Sequence, residues 1–143
     1  MAEPIDLRDA AARDIDMLLR CDAYAQTNPS RRVALDRWIA RGECLVAESE
    51  GRIVGFVVLE HGFFGHAFVP LVCVAPGHRR LGFATAMLAA VQSRCRTDKL
   101  FTSTNASNAR AKQMLEKTGF VPSGTIENLD AGDPELVYFK RLR

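Results

Sequence analysis

Val72-Cys73-Val74-Ala75-Pro76-Gly77-His78-Arg79-Arg80-Leu81-Gly82-Phe83-Ala84-Thr85 is the stretch where an apolar strand gives way to a helix, and the rest of the chain is arranged around it. The strand stops at Pro76-Gly77, a short basic loop follows, and the helix opens on small residues. A helix start presents backbone N–H groups without partners and the positive end of the helix dipole, so it suits an anion. Gly82 has no Cβ and Ala84 only a methyl, which lets phosphate oxygens approach the backbone closely. Thr85 adds a hydroxyl, and Arg79 and Arg80 add charge where a pyrophosphate needs compensation. An ordinary strand-to-helix turn can also carry Gly and Arg, so the surrounding elements must decide the matter.

Upstream, Ile5 to Arg8 alternates apolar and polar residues as a short strand, and Asp9 offers an N-cap to a helix bearing Ile15, Leu18 and Leu19. Beyond the break at Thr27-Asn28-Pro29-Ser30, a second helix carries Leu35, Trp38 and Ile39 and ends at Arg41-Gly42. A meander of three strands follows: Cys44 to Glu48, Ile53 to Leu59 and Phe68 to Val74. Glu50-Gly51 marks the first reversal, and Gly62 and Gly65 flank the second. Pro70 lies in the third strand, where a proline predicts a bulge or a splayed edge. Downstream, a helix is expected from Leu81 to about Arg96, with Leu81, Ala84, Leu88, Val91 and Cys95 on its apolar face. Lys99 to Thr104 is a strand, and Ser107 caps a helix that runs to Thr118 and ends at Gly119. Val121 to Ile126 and Leu136 to Leu142 close the chain as strands around a turn-rich loop at Asn128 to Pro134. The order is β-α-α-β-β-β-α-β-α-β-β, a mixed α/β sheet flanked by helices.

With 143 residues and no linker-like tract, the chain is expected to form a single domain over 1–143. Its 48% hydrophobic and 25% charged residues are those of a soluble globular protein. Nineteen Lys and Arg against 17 Asp and Glu leave a formal charge of +2, which gives no reason to expect nucleic acid or a membrane as partner. Met1 to Asp9 shows charged residues and no apolar leader, so a cytoplasmic location is the expectation. Cys21, Cys44, Cys73 and Cys95 form no CxxC pair, which argues for buried free thiols and against a metal site.

Arg79-x-x-Gly82-x-Ala84, following Val72-x-Val74-x-Pro76, resembles the acyl-CoA-binding motif of the GNAT superfamily of N-acetyltransferases. Asn108-x-x-Ala111-x-x-x-Leu115-x-x-x-Gly119-Phe120 resembles the next motif of that family, also on a helix, and the element order is the family's own. The resemblance implies a mainly antiparallel sheet with a splayed strand pair, and acetyl-CoA as co-substrate without a metal. The backbone through Gly82, Ala84 and Thr85, with Arg79 and Arg80, would hold the pyrophosphate. The strand edge at Val72 and Val74 would pair with the pantetheine amides, and Asn108 would hydrogen-bond the pantetheine from the far side. A backbone N–H near Val74 would polarise the thioester carbonyl.

The chain departs from that pattern in two places. Where many members carry a tyrosine acid this sequence has Leu115, and where many carry a glutamate base it has Pro70. Glu60, His61 and His66 are the replacement bases considered, with an exposed hairpin as the competing reading, and Tyr138 is the replacement acid, with core packing its better reading; His78, in the phosphate loop, fits binding better than proton transfer. Tyr24 and Trp38 are candidates for the acceptor pocket, with core packing the better reading of Trp38. Phe63, Phe64, Phe68 and His66 suggest a partly apolar pocket, while the cluster of Glu127, Asp130, Asp133 and Glu135 would suit an aminoglycoside-like polyamine, with a solvated turn the better reading. The expected reaction is acetyl transfer to a primary amine of a small molecule by direct attack in a ternary complex; a covalent Cys73 intermediate is the weaker route. The alternatives are an acyl-CoA-binding module without turnover and a plain nucleotide-binding domain. A homodimer stays open.

Overall fold

The computed structural model describes residues 4–143; Met1, Ala2 and Glu3, part of the segment read for a leader, lie outside the described residues. Seven strands and four α-helices follow the expected order: β1 (Asp6–Asp9), α1 (Ile15–Cys21), α2 (Ser30–Ala40), β2 (Cys44–Ser49), β3 (Arg52–Phe63), β4 (His66–Val74), α3 (Phe83–Val91), β5 (Lys99–Asn105), α4 (Ala109–Lys117), β6 (Val121–Ile126) and β7 (Glu135–Arg141). The strands hydrogen-bond in the order β1-β2-β3-β4-β5-β7-β6. The β1–β2, β2–β3, β5–β7 and β6–β7 pairs are antiparallel, and β4–β5 is parallel. By its internal contacts the chain forms two compact units, residues 1–59 with 71–93 and residues 60–70 with 94–143, and β3 and β4 run through both.

In the first unit, α1 and α2 put Leu18, Cys21, Leu35 and Trp38 into one core with Cys44, Val46, Phe56 and Val58 of β2 and β3. Trp38 is therefore a core aromatic. Glu50 and Gly51 both have positive φ, 51° and 76°, and close a two-residue hairpin in which Ser49 pairs with Arg52. Gly55 is essential to this unit. A Cβ there would lie 2.2 Å from the Cys73 carbonyl oxygen and 2.9 Å from Met87 Cε, so β3 can pass the end of β4 and α3 only as bare backbone.

Several boundaries differ from expectation. Asp9 is the last residue of β1 rather than the residue before a helix; the chain continues through Ala10 and Ala11 into a 3-10 turn at Ala12–Asp14. Asp14 does the work instead. Its carboxylate accepts the Ala11 N–H at 2.8 Å and is bridged by both Nη atoms of Arg8 at 2.9 and 3.0 Å. Helix α3 starts at Phe83 rather than Leu81, because Arg80 and Gly82 are left-handed, at φ 64° and 86°, and a right-handed helix cannot include them. Leu81 is accordingly exposed, and the buried face of α3 is Phe83, Met87, Leu88 and Val91. The helix also ends early, at Val91, and tightens into a 3-10 turn at Gln92–Arg94. The second reversal is tighter than expected: Gly62 stays in β3, and Phe64 and Gly65 make the turn at φ 52° and 80°.

In the second unit, Leu100 of β5, Leu115 of α4, Phe120, and Val137 and Tyr138 of β7 are buried. The cap of α4 is Asn108 rather than Ser107: Asn108 Oδ1 accepts the Ala111 N–H at 3.1 Å. The Ser107 hydroxyl donates instead to Asp133 at 2.6 Å. Gly119, at φ 93°, ends the helix as expected. β4 is continuous through Pro70, and what stops there is its ladder with β5. That ladder comprises Ala67–Leu100, Phe68–Phe101 and Val69–Thr102, and the Thr102 hydroxyl donates to the Val69 carbonyl at 2.8 Å.

Candidate acyl-CoA site

The loop between β4 and α3 is anchored at its start by the Ala75 N–H, which donates to the Val54 carbonyl at 2.8 Å, and by the His78 N–H, which donates to Ala75 at 3.0 Å. Gly77, Arg80 and Gly82 are all left-handed, at φ 86°, 64° and 86°. Backbone that alternates hands in this way turns successive N–H groups toward one side and forms an anion-binding concavity. Holding Arg80 there costs about 1 kcal/mol, which a non-glycine residue bears only where the surroundings enforce it. No side chain caps α3 at Gly82, so the first turn of the helix keeps its unsatisfied donors. The loop opens on a cleft of about 760 Å³ lined by Gly77, His78, Arg80, Leu81, Gly82 and Phe83, and also by Ser49, Glu50, Arg52 and Val54.

The two arginines of the motif do different things. Arg79 is tied down: its Nε donates to the Val74 carbonyl at 3.3 Å and its Nη2 to the Cys21 carbonyl at 3.4 Å. It fastens the loop to the end of α1. Arg80 has no ion pair or side-chain hydrogen bond among the described residues and lines the cleft. Ala84 is half-buried and Thr85 is exposed on the first turn of α3. Val72 and Val74 are half-buried on β4. Asn108 belongs to the second unit, where its amide oxygen is used in capping α4.

The candidates for proton transfer lie in varied surroundings. His66 is half-buried with its ring 6.0 Å from that of Phe101, and its Nδ1 is buried without a partner. Glu60 is half-buried near the end of β3. His61 Nε2 accepts the Arg96 N–H at 3.0 Å, so that nitrogen carries no proton, and burial followed by the Arg96 charge lowers its pKa. Tyr138 is 2% exposed, and burial, then the Glu116 carboxylate, pushes its phenol up. Leu115 is also in the core, at 3% exposure. His78 has a buried Nδ1 without a partner and packs edge-on against Phe83. Burial pushes the Cys73 thiol well above the usual thiol range, which leaves little thiolate for a covalent route.

The aromatic residues do assemble. Phe63 stacks on Phe68 at 4.7 Å and meets Phe64 at 5.1 Å and Phe101 at 5.1 Å; Phe139 continues the row 5.4 Å beyond Phe101. Phe101 and Phe139 were not among the expected members, although their alternation in β5 and β7 could have found them. The acidic run is engaged: Asp130 accepts from Asn105, Asp133 from Ser107, and Glu135 from Ser103. Tyr24 is exposed, with the Arg31 guanidinium 4.5 Å from its ring centroid, and Arg31 in turn pairs with the buried Asp22. Among the described residues no group of His, Cys, Asp and Glu is placed to hold a metal, and no helix is long and apolar enough to cross a membrane.

Comparison with known proteins bears on this geometry. A family model described as the acetyltransferase (GNAT) family matches residues 13–120. A GNAT-family acetyltransferase from Bacillus cereus ATCC 10987 is similar to this chain with a TM-score of 0.87 and 33% identity, over 97% of this chain and 98% of that one. A ribosomal-protein-alanine N-acetyltransferase from Brucella melitensis shares the fold at a TM-score of 0.77 and 24% identity, over 96% and 99% of the two chains. A Bacillus anthracis structure, named as a streptothricin acetyltransferase and in complex with acetyl coenzyme A, is similar at a TM-score of 0.62 and 20% identity, over 68% of this chain and 61% of that one. A search of curated protein sequences finds no match. The family match spans the motif on β4 and α3 and the second motif on α4, and the chain belongs to the GNAT family of acetyltransferases.

Proposed function

We propose that this protein transfers an acetyl group from acetyl-CoA to a primary amine of a small molecule by direct attack within a ternary complex. One observation carries the donor half of the reading: the uncapped start of α3 behind a loop with three left-handed residues, opening on a cleft that also holds the unpaired Arg80. Those residues fit a pyrophosphate. Backbone donors from Gly82, Ala84 and Thr85 and the Arg80 guanidinium supply the charge-assisted hydrogen bonds it needs. Arg79 keeps the loop in shape, Val72 and Val74 offer a strand edge to the pantetheine amides, and Asn108 retains its amide N–H groups as donors toward them. Acetyl-CoA supplies an acyl group on a thiolate leaving group, so weak acid catalysis suffices.

What the protein must supply is a neutral amine. His66 is our assignment for the base, since an imidazole exchanges protons near neutral pH, with Glu60 as its alternative. Tyr138 is the acid of this scheme, acting from a buried position. Direct attack is preferred to a Cys73 intermediate because the buried thiol holds its proton. A screen of amines with acetyl-CoA, reading thiol release between pH 6 and 9, tests the reading. Turnover that falls at neutral pH in His66→Ala supports the base, and an unchanged pH–rate profile in that variant removes it.

Burial of Leu115 and Tyr138 favours one rival, an acyl-CoA-binding module without turnover. Tight coenzyme A binding without thiol release for any amine would establish that rival. Competition by ATP as strong as that by coenzyme A would instead mark a general nucleotide site.

A further inference from the structure

The cleft beside the phosphate loop is larger than a pyrophosphate requires, and the hairpin between β2 and β3 also lines it. Arg52, from that hairpin, and Arg80, from the phosphate loop, both line it. Neither arginine has an ion pair or a side-chain hydrogen bond among the described residues. Both are held by stiff backbone. Arg52 closes the Glu50-Gly51 turn in register with Ser49, and Arg80 is itself left-handed. Two guanidinium groups on one concave surface repel each other unless an anion lies between them. Glu50 is the single acid among the lining residues, set in the turn itself, and it makes no ion pair with either arginine. His78 adds a third basic group on the same lining, and its buried Nδ1 has no protein partner. A cleft of about 760 Å³ is in the range of sites that take a nucleotide-sized ligand.

We infer that Arg52, together with Arg80, binds a second phosphate group of the donor, the monoester on the 3′ position of its ribose, and so makes the β2–β3 hairpin a determinant of donor choice. This inference rests on the acyl-CoA reading of the loop, and it deepens that reading by naming what lies beyond the pyrophosphate. A phosphate monoester carries more negative charge than either single phosphate of the pyrophosphate bridge and suits two guanidinium donors. A donor without that group leaves the two arginines of the lining without a shared anion.

The test compares acetyl-CoA with 3′-dephospho-acetyl-CoA, by KM in the acetyl-transfer assay and by calorimetric Kd in the absence of an acceptor. The wild-type protein is expected to prefer acetyl-CoA by about tenfold, the usual worth of one charged hydrogen-bonding group. Arg52→Ala should erase that preference by weakening acetyl-CoA alone, and Glu50→Asn, which suits a left-handed turn position, should increase it. Adenosine 3′,5′-bisphosphate should compete with the donor, and do so less well in Arg52→Ala, whereas ADP and inorganic phosphate should be indifferent to that substitution. Equal use of both donors by the wild-type protein, or a preference that survives Arg52→Ala, overturns the inference while leaving the pyrophosphate site intact. Failure of the protein to bind either donor overturns the acyl-CoA reading itself. Arg52 is exposed at the start of β3, so its removal leaves the core untouched.

Discussion

Helices α3 and α4 both follow a strand of the same sheet, yet their N-termini are finished differently. Asn108 caps α4, and Asp133 ties down the preceding turn through the N–H and hydroxyl of Ser107 at 3.0 and 2.6 Å. α3 begins at a left-handed glycine with no side chain over its first turn. A third start, that of the 3-10 turn leading into α1, is closed by Asp14 and Arg8. Two of these ends are satisfied by the protein. The start of α3 has no such cap, and neither does that of α2 behind Pro29; what sets α3 apart is the left-handed loop before it, which on our acyl-CoA reading leaves its donors for a ligand.

The contrast can be broken most severely at the open end. Gly82→Glu puts a Cβ and a negative charge at the left-handed start of α3, and coenzyme A affinity should fall by about 100-fold or more, read by calorimetry. Retained affinity would end the assignment of the site. Gly55→Val attacks the strand behind it. With a Cβ 2.2 Å from a backbone carbonyl, the end of β4 must shift, and stability should drop by about 3 kcal/mol in chemical denaturation.

Asp14→Asn tests the closed end at α1. Its carboxyl titrates below the ordinary range, held there first by the hydrogen bond from Arg8. A lowered folded-state pKa means that the stabilisation is complete above the unfolded carboxyl's pKa and is lost as pH falls through the folded value. The variant should lose about 2 kcal/mol at neutral pH and should converge with the wild type in acid. A constant difference between the two across that range would mean that the pair is not the cause.

The smallest effect is at Asn108. Asn108→Ala should cost about 1 kcal/mol through the lost cap. Asn108→Asp keeps the acceptor for Ala111 and so should keep the stability, but it removes the amide donors. A rise in the KM for acetyl-CoA in Asn108→Asp without a melting change would separate a pantetheine contact from capping; an unchanged KM would leave Asn108 with the cap alone.

The order of elements was readable because periodicity, Gly119 and the Glu50-Gly51 turn are local signals that tertiary packing did not override. The caps were less readable. Asp9 and Asp14, or Ser107 and Asn108, are equally good cap residues by type, and the choice depends on where the preceding strand releases the chain. The start of α3 was misplaced because Leu81 has the right apolar spacing, while a left-handed Arg80 leaves no mark in sequence. Arg79 and Arg80 are neighbours of one type, and only the carbonyls of Val74 and Cys21 distinguish the fastened one from the free one. Gly55 could have been noticed as a glycine inside an apolar strand, but the atom it makes room for lies on another strand. The acid and base positions were harder still. Leu115 and Pro70 remove the residues a motif would point to, and substitutes such as His66 are recognised only by surroundings.

The four cysteines have a practical consequence for the chemistry of this protein. Burial raises the pKa of each thiol, to about 12 at Cys44 and about 11 at Cys95. Near neutral pH each of these thiols keeps its proton and is a poor nucleophile. Disulfide reporters and alkylating reagents should therefore pass over the folded protein and capture only the free coenzyme A it releases, while unfolding exposes four reactive groups at once. The same reagent would then serve as a clock for turnover in native buffer and as a gauge of unfolding in denaturant.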